Sequence, residues 1–166
     1  TSGDVFLYSR NGKEFLNFPH IADQIRALVQ KHHISYDVVL DGEIVGTSFQ
    51  ELMKGATKKD HIAEDSDYYV FDIMRLSEFK EGHSNTNQEK RLDKLSKFIN
   101  MFGCPNVHLV DGITVDLSSD AGHKTLVEYA TDSVAQGYEG IIIKRLDAPY
   151  ECKRSTFWMK WKPVIT

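Results

Sequence analysis

The sequence predicts a layered α+β domain, and three observations carry that prediction. A chain of 166 residues with 41% hydrophobic and 11% aromatic content can bury one sizeable core, so a single globular domain is expected. Strand-like and helix-like segments are mixed without the regular βαβ alternation of a doubly wound sheet. No stretch approaches the roughly 18 consecutive apolar residues that would span a bilayer.

In chain order, residues 5–9 (VFLYS) read as a strand, and Asn11-Gly12 supplies a turn of the kind that closes hairpins. Ile21, Ile25, Leu28 and Val29 recur at helical spacing, which predicts a short amphipathic helix over 21–32. The β-branched run 37–46 (DVVLDGEIVG) predicts a buried strand stopped by Gly46, and 68–74 (YYVFDIM) a second. Residues 49–60 fit either a helix under FQELMKG or a polar loop. Thr86 and Glu89 have the spacing of a capping box, and Leu92, Leu95, Ile99 and Phe102 continue one apolar face, so a helix is expected over 87–102. A strand near 106–110 and a helix near 120–136, with Leu126, Ala130 and Val134 in register, lead into EGIIIKR at 139–145. FWMKWKP at 157–163 closes the chain.

The formal net charge is −4, which argues at first against a polyanionic partner. That average hides an asymmetry. From Glu139 onward six basic residues stand against three acidic ones, a local charge of +3, leaving −7 for the rest. Contacts with a polyanion are therefore expected in the C-terminal quarter. Cys104 and Cys152 have no metal-ligand or partner spacing and fit a reducing compartment. The N-terminal stretch lacks a basic flank followed by an apolar run, so no signal peptide and no secretion are expected; from its abrupt start in a strand pattern a fragment is expected.

Four segments place charge inside or beside a strongly apolar strand, where an unpaired charge is costly. In VLDGEIV, Asp41 and Glu43 are two residues apart and share one strand face, with Gly42 expected to leave room on the other. In YVFDIM, Phe71 and Asp72 point to opposite faces. In YEGIIIKR, Glu139 precedes an all-apolar run that ends at Lys144. In WMKWKP, Lys160 and Lys162 share a face near Trp158 and Trp161. Taken singly, each has an ordinary explanation: DGE as a strand ending, alternating lysines as a solvated face, strand aromatics as core. The histidines show no metal-ligand spacing and read as structural.

In this order and spacing, SRNGKEF, LDGEIV, YYVFDIM, YEGIIIKR and FWMKWKP resemble successive motifs of the covalent nucleotidyltransferase superfamily, which comprises DNA ligases, RNA ligases and mRNA capping guanylyltransferases. The resemblance runs from Ser9 to Pro163. It is strongest to the small ATP-dependent DNA ligases of bacteriophages and large DNA viruses, with the Phe49-Gln50 pair and the arginine of YECKRST, Arg154, also shared. It implies an ATP-grasp-like nucleotidyltransferase adenylation domain, antiparallel sheets flanked by helices, with residues 1–166 forming a partial domain. The family's KxDGxR segment, whose lysine becomes adenylated, is absent from the chain; the resemblance places it a few residues before Thr1, and an OB-fold domain after the last motif. The fragment alone is therefore expected not to form a lysyl-adenylate.

The resemblance also implies roles. An enzyme lysine attacks the ATP α-phosphate, AMP passes to the 5′-phosphate of a nick, and the 3′-hydroxyl displaces AMP; each step is an in-line displacement governed by positioning and charge. Lys160 and Lys162 would meet the α-phosphate, and Glu139 would help hold Mg2+ or Mn2+. Glu43, with Asp41 behind it, would hold the ribose or the metal shell. Phe71 would stack on adenine and Arg10 would bind phosphate. Lys13 and Arg154 are the candidates for the DNA backbone. The implied partners are ATP and nicked duplex DNA, met by a monomer with no membrane association. The implied setting is the cytoplasm of a bacterium or phage-infected host, or a eukaryotic nucleus, in replication, repair or recombination.

A capping guanylyltransferase or an RNA ligase is the nearest rival, since YVFDIM and KWKP would suit a capping enzyme too, but Glu139 favours a ligase, because capping enzymes tend to carry aspartate there. A non-catalytic nucleotide- or DNA-binding relic is the reading from another class. The residues just before Thr1 discriminate: KxDGxR supports the enzyme, its absence the relic.

Overall fold

Strand β3 (Val38–Val45) and strand β4 (Asp67–Arg75) form the longest pairing in the molecule, an antiparallel ladder running from Val38↔Arg75 to Val45↔Asp67. The computed structural model describes residues 3–46, 62–99 and 104–162. Before this ladder come a two-residue hairpin, β1 (Leu7–Tyr8) and β2 (Glu14–Phe15), and helix α1 (Pro19–Lys31). After it come α2 (Leu76–Glu81), β5 (His83–Ser84), α3 (Gln88–Ile99), β6 (Val107–Leu109), α4 (Asp120–Ala135), β7 (Ile141–Lys144), β8 (Tyr150–Glu151) and β9 (Trp158–Trp161). The strands pair as β3-β4-β6, β5-β8 and β7-β9, besides the first hairpin. All pairings are antiparallel except β4 with β6, which is parallel because α3 crosses over between them.

The core forms where α1 and α3 pack against the three-stranded sheet. Ile21, Ile25 and Leu28 of α1 meet Val70 and Ile73 of β4, Leu95, Phe98 and Ile99 of α3, and Val107 of β6. Each such side chain, fully buried, contributes roughly 1.5–3 kcal/mol. Pro19 at the first helical position pre-sets the backbone of α1. His32, just past its end, donates through Nε2 to the Phe98 carbonyl at 2.9 Å and stacks on the Phe98 ring. His20 and His108 likewise face Ser66 and Asp67, so these histidines serve the structure, as expected.

Helix α3 departs from its expectation in an informative way. The Thr86–Glu89 capping box does not form: Asn87 caps the helix instead, its Oδ1 accepting from Lys90 N–H at 2.9 Å. The Thr86 carbonyl is taken by the Arg91 guanidinium, and Glu89 N–H donates to the Leu146 carbonyl. The buried face carries Gln88 and Arg91 as well as Leu95, Phe98 and Ile99, with Leu92 only half buried. Helix α4 buries Ala130 fully and Leu126 and Val134 partly, its expected face. The expectations for 49–60, including Phe49-Gln50, and for Phe102 and Pro163 fall outside the described residues. Among the described residues no helix is long and apolar enough to cross a membrane.

Two details of the β3–β4 ladder depart from the sequence reading. The register steps from Gly42↔Val70 to Asp41↔Asp72, leaving Phe71 as the extra residue of a bulge. The strict alternation that set Phe71 and Asp72 on opposite faces therefore breaks at this pair. Gly42 also leaves no room on its own face. A Cβ there would lie 2.4 Å from the Tyr69 carbonyl oxygen and 2.7 Å from the Tyr68 ring, and the Tyr68 hydroxyl is fixed by donating to the Leu40 carbonyl at 3.0 Å. Gly42→Ala is accordingly expected to lower stability by about 1–3 kcal/mol, read as a fall in the urea unfolding midpoint with an unchanged slope.

Candidate active site

The hairpin β7–β9 pairs Ile141↔Trp161, Ile142↔Lys160 and Lys144↔Trp158. Gly140 permits its closure, since a Cβ there would lie 2.3 Å from the Trp161 carbonyl oxygen. Alternation along β9 puts Trp158, Lys160 and Lys162 on one side. Lys160 Nζ donates to Glu139 Oε2 at 2.7 Å, and Lys162 Nζ lies 3.6 Å from the same oxygen. The hydrogen bond from Lys160, followed by the charges of Lys160 and Lys162, holds the Glu139 carboxyl below the usual glutamate range. All three side chains are exposed, Glu139 at 71%, so their mutual attraction is screened by water and salt and adds little to stability. Such a trio is better suited to meeting a soluble anion than to holding a fold together.

A second cluster begins where the first ends. The Phe71 ring meets Trp158 edge-on at 5.8 Å between centroids, and the Tyr150 ring likewise meets Trp158 edge-on at 5.5 Å. Lys144 Nζ lies 3.9 Å from the centre of the Trp158 ring and 4.9 Å from that of Phe71, and donates weakly to the Phe71 carbonyl at 3.5 Å. Burial lowers the Lys144 pKa, while Asp72 and Asp41 oppose that shift. Asp41 accepts a 2.6 Å hydrogen bond from the Tyr150 hydroxyl. Burial raises the Asp41 pKa despite that bond. The Tyr150 pKa rises too, first by burial and then through Asp41, so its proton stays on the oxygen as donor. Asp72 has no exposed surface and is gripped by Arg91, Nε to Oδ1 at 2.8 Å and Nη2 to Oδ2 at 3.3 Å.

The structure thus brings Glu139, Lys160 and Lys162 together and joins them, through Trp158 on the same strand, to Phe71 and Asp41. Two strand positions separate Trp158 from Lys160 and two more separate Lys160 from Lys162, roughly 7 Å each. Glu43 is exposed on β3 opposite Tyr69, two positions beyond Asp41. Arg10 and Lys13 are exposed at the turn between β1 and β2, where Lys13 N–H donates to Ser9 Oγ. Arg154 is exposed between β8 and β9. Among the described residues these four join neither cluster by a hydrogen bond, ion pair or ring contact. Tyr150 and Arg91 were missed by the sequence reading. An arginine four residues before Leu95, on the apolar face of α3, was the available signal for Arg91; Tyr150 had none.

A divalent cation carried by a nucleotide needs only one or two carboxylates besides phosphate oxygens and water. The described residues contain no group of three His, Cys, Asp or Glu side chains that could cage a metal. Asp41 and Asp72 are already engaged, by Tyr150 and Arg91. Glu139 and Glu43 are both exposed carboxylates, hard oxygen donors of the kind a phosphate-borne cation takes.

With this geometry in place, comparison with known proteins identifies the family. The profile of the ATP dependent DNA ligase domain matches residues 1–162, and the chain belongs to that family. It is 26% identical over 155 residues to a DNA ligase of African swine fever virus, covering 90% of this chain and 33% of the viral one. It is 26% identical over 176 residues to a DNA ligase of Sulfolobus acidocaldarius, covering 95% of this chain and 27% of that one. A solved structure described as Pmar-Lig_PreS3 superposes with a TM-score of 0.92 at 37% identity, over 98% of this chain and 38% of that one. The ATP-dependent DNA ligase of bacteriophage T7 in complex with ATP shares the fold, with a TM-score of 0.61 at 16% identity, over 96% of this chain and 56% of that one. The chain spans about a third of the length of the viral relatives. The expected α+β adenylation fold is that of the family; the expected antiparallel pairing holds for every strand pair described except β4–β6, which is parallel.

The ion trio has a titration signature. A carboxylate with a lowered folded pKa stabilises the fold above its unfolded pKa and loses that contribution as pH falls through the folded value. Glu139 is therefore expected to titrate below the usual glutamate range in carboxyl-carbon NMR, and to move up toward that range in Lys160→Ala, with Lys162 still holding it partly down.

Proposed function

We propose that this chain is the nucleotide-binding part of a DNA ligase that seals nicks in duplex DNA through lysyl-AMP and DNA-adenylate intermediates. One observation carries the reading: Glu139, Lys160 and Lys162 meet at one end of a hairpin whose other end, Trp158 and Lys144, packs against Phe71. Phe71 and Trp158 form an aromatic wall for adenine, with stacking worth about 1–3 kcal/mol. Lys160 and Lys162 receive the α-phosphate, and Lys144 approaches it from the wall. Their positive charge stabilises the phosphoryl group during in-line transfer, where positioning and electrostatics supply most of the rate.

Glu139 orients both lysines while the site is empty, and with Glu43 would hold a magnesium or manganese ion brought by ATP. When bound, that ion supplies further neutralisation of phosphate charge. Arg10, at its hairpin tip, and Lys13 and Arg154 are assigned to phosphates of nucleotide or DNA. These assignments are supported by exposure and charge rather than by contact with the trio. The nucleophilic lysine and an OB-fold domain are assigned to parts of the protein outside residues 1–166. The protein acts as a monomer inside the cell, on DNA ends made during replication or repair. Against an RNA-ligase or capping activity stand the match to the DNA ligase domain and to relatives named DNA ligase, and Glu139 further disfavours a capping enzyme.

In the full-length protein, Glu139→Ala is expected to reduce nick sealing at least about a hundredfold, the size of one lost electrostatic contact to a reacting phosphate, in a gel assay on nicked duplex. Lys160→Ala and Lys162→Ala are each expected to block transfer of label from α-labelled ATP to the protein. Normal labelling of both variants would show that these lysines are only a solvated face.

A further inference from the structure

Asp41 and Asp72 stand opposite each other in the β3–β4 register, and Lys144 feels the charge of both. Left to themselves, two half-buried or buried carboxylates would draw that ammonium into a closed ion pair, because attraction strengthens as water is excluded. Among the described residues Lys144 makes no ion pair; its Nζ lies over Trp158 and Phe71. Both carboxylates are occupied by other donors. Arg91, itself 2% exposed, binds both oxygens of Asp72, and its remaining N–H groups donate to Gln88 Oε1 at 2.8 Å, to the Ala148 carbonyl at 3.2 Å and to the Thr86 carbonyl. Gln88 turns its oxygen to Arg91 and leaves its buried Nε2 without a partner among the described residues, so one donor is left unpaired to complete the guanidinium's surroundings. Tyr150 covers Asp41, with its hydroxyl on Oδ2 and its ring 5.6 Å from the Arg91 guanidinium.

We infer that Arg91 and Tyr150 are positioning residues that hold Asp72 and Asp41 away from Lys144, keeping its ammonium on the aromatic wall and open to a nucleotide phosphate. Neither touches the nucleotide; both act through the carboxylates they occupy. Only a forked guanidinium reaches two carboxylate oxygens and three further acceptors at once. The inference rests on the nucleotidyl-transfer reading, and names what keeps one of its lysines available.

The test is a mutant cycle on the full-length enzyme, measuring the rate of label transfer from α-labelled ATP at saturating ATP, well below the melting temperature of every variant. Lys144→Met is expected to slow wild type at least about tenfold. Arg91→Met is expected to slow it by a similar factor, because Asp72 then captures Lys144. Adding Lys144→Met to Arg91→Met is expected to change the rate less than about threefold, and adding Asp72→Asn to Arg91→Met to restore it to within about threefold of wild type. A merely structural Arg91 would shift melting and leave the cycle additive, and additivity overturns the proposal. Should Arg91→Met fail to fold, the same cycle of Tyr150→Phe with Lys144→Met decides it. Wild-type enzyme that takes no label overturns the nucleotidyl-transfer reading itself, whereas labelled wild type with an additive cycle overturns only the roles of Arg91 and Tyr150.

Discussion

A carboxylate with no exposed surface, set in an otherwise apolar strand, is the constraint around which this domain is arranged. Asp72 can be buried there because Arg91 meets both of its oxygens, and Arg91 reaches it because α3 is turned to bury a guanidinium. From that one pair follow the position of the α3 N-terminus, its backbone bonds to Leu146 and Ala148, and the path of the chain from β7 to β8. The aromatic wall and the lysine hairpin are hung from these segments. The polar pair and the apolar core thus do different jobs: the core of Ile21, Leu28, Ile73 and Leu95 supplies stability, and the buried ions fix which way the site-bearing strands face.

Most of the architecture was legible because its signals are local. Ile21, Ile25 and Leu28 announce α1, the β-branched run 37–46 announces β3, and Leu126, Ala130 and Val134 announce α4. The shared face of Lys160 and Lys162 followed from strand alternation alone, and Glu139 lies where that face needed a partner. What was not legible is long-range. The bulge that singles out Phe71 depends on how β3 registers with β4, which neither strand specifies by itself. The bond from Tyr150 to Asp41 joins positions 109 residues apart, and no spacing rule reaches that far. The failed Thr86 cap shows the same effect in miniature: the local pattern was sound, but tertiary partners claimed its groups first.

Charge tells a similar story. The C-terminal quarter carries an excess of +3, yet most of it is spoken for: Arg145 by Asp147, Lys153 by Glu151, and Lys160 and Lys162 by Glu139. Arg154 stays exposed and Lys144 half buried. A surface of this kind presents paired charges that an incoming polyanion can reorganise, rather than a bare cationic patch that would hold any anion without discrimination.

The hairpin trio has one more consequence, and it is arithmetical. Two ammonium groups and one carboxylate share a single point in space, so the empty trio bears a surplus of one positive charge. A phosphodiester-like group, with one negative charge, brings that corner to electrical balance. A triphosphate overshoots it, and its outer phosphates must find compensation elsewhere. The corner is therefore matched in charge to a singly charged phosphate group, and holds a more highly charged one only with the help of cations from elsewhere.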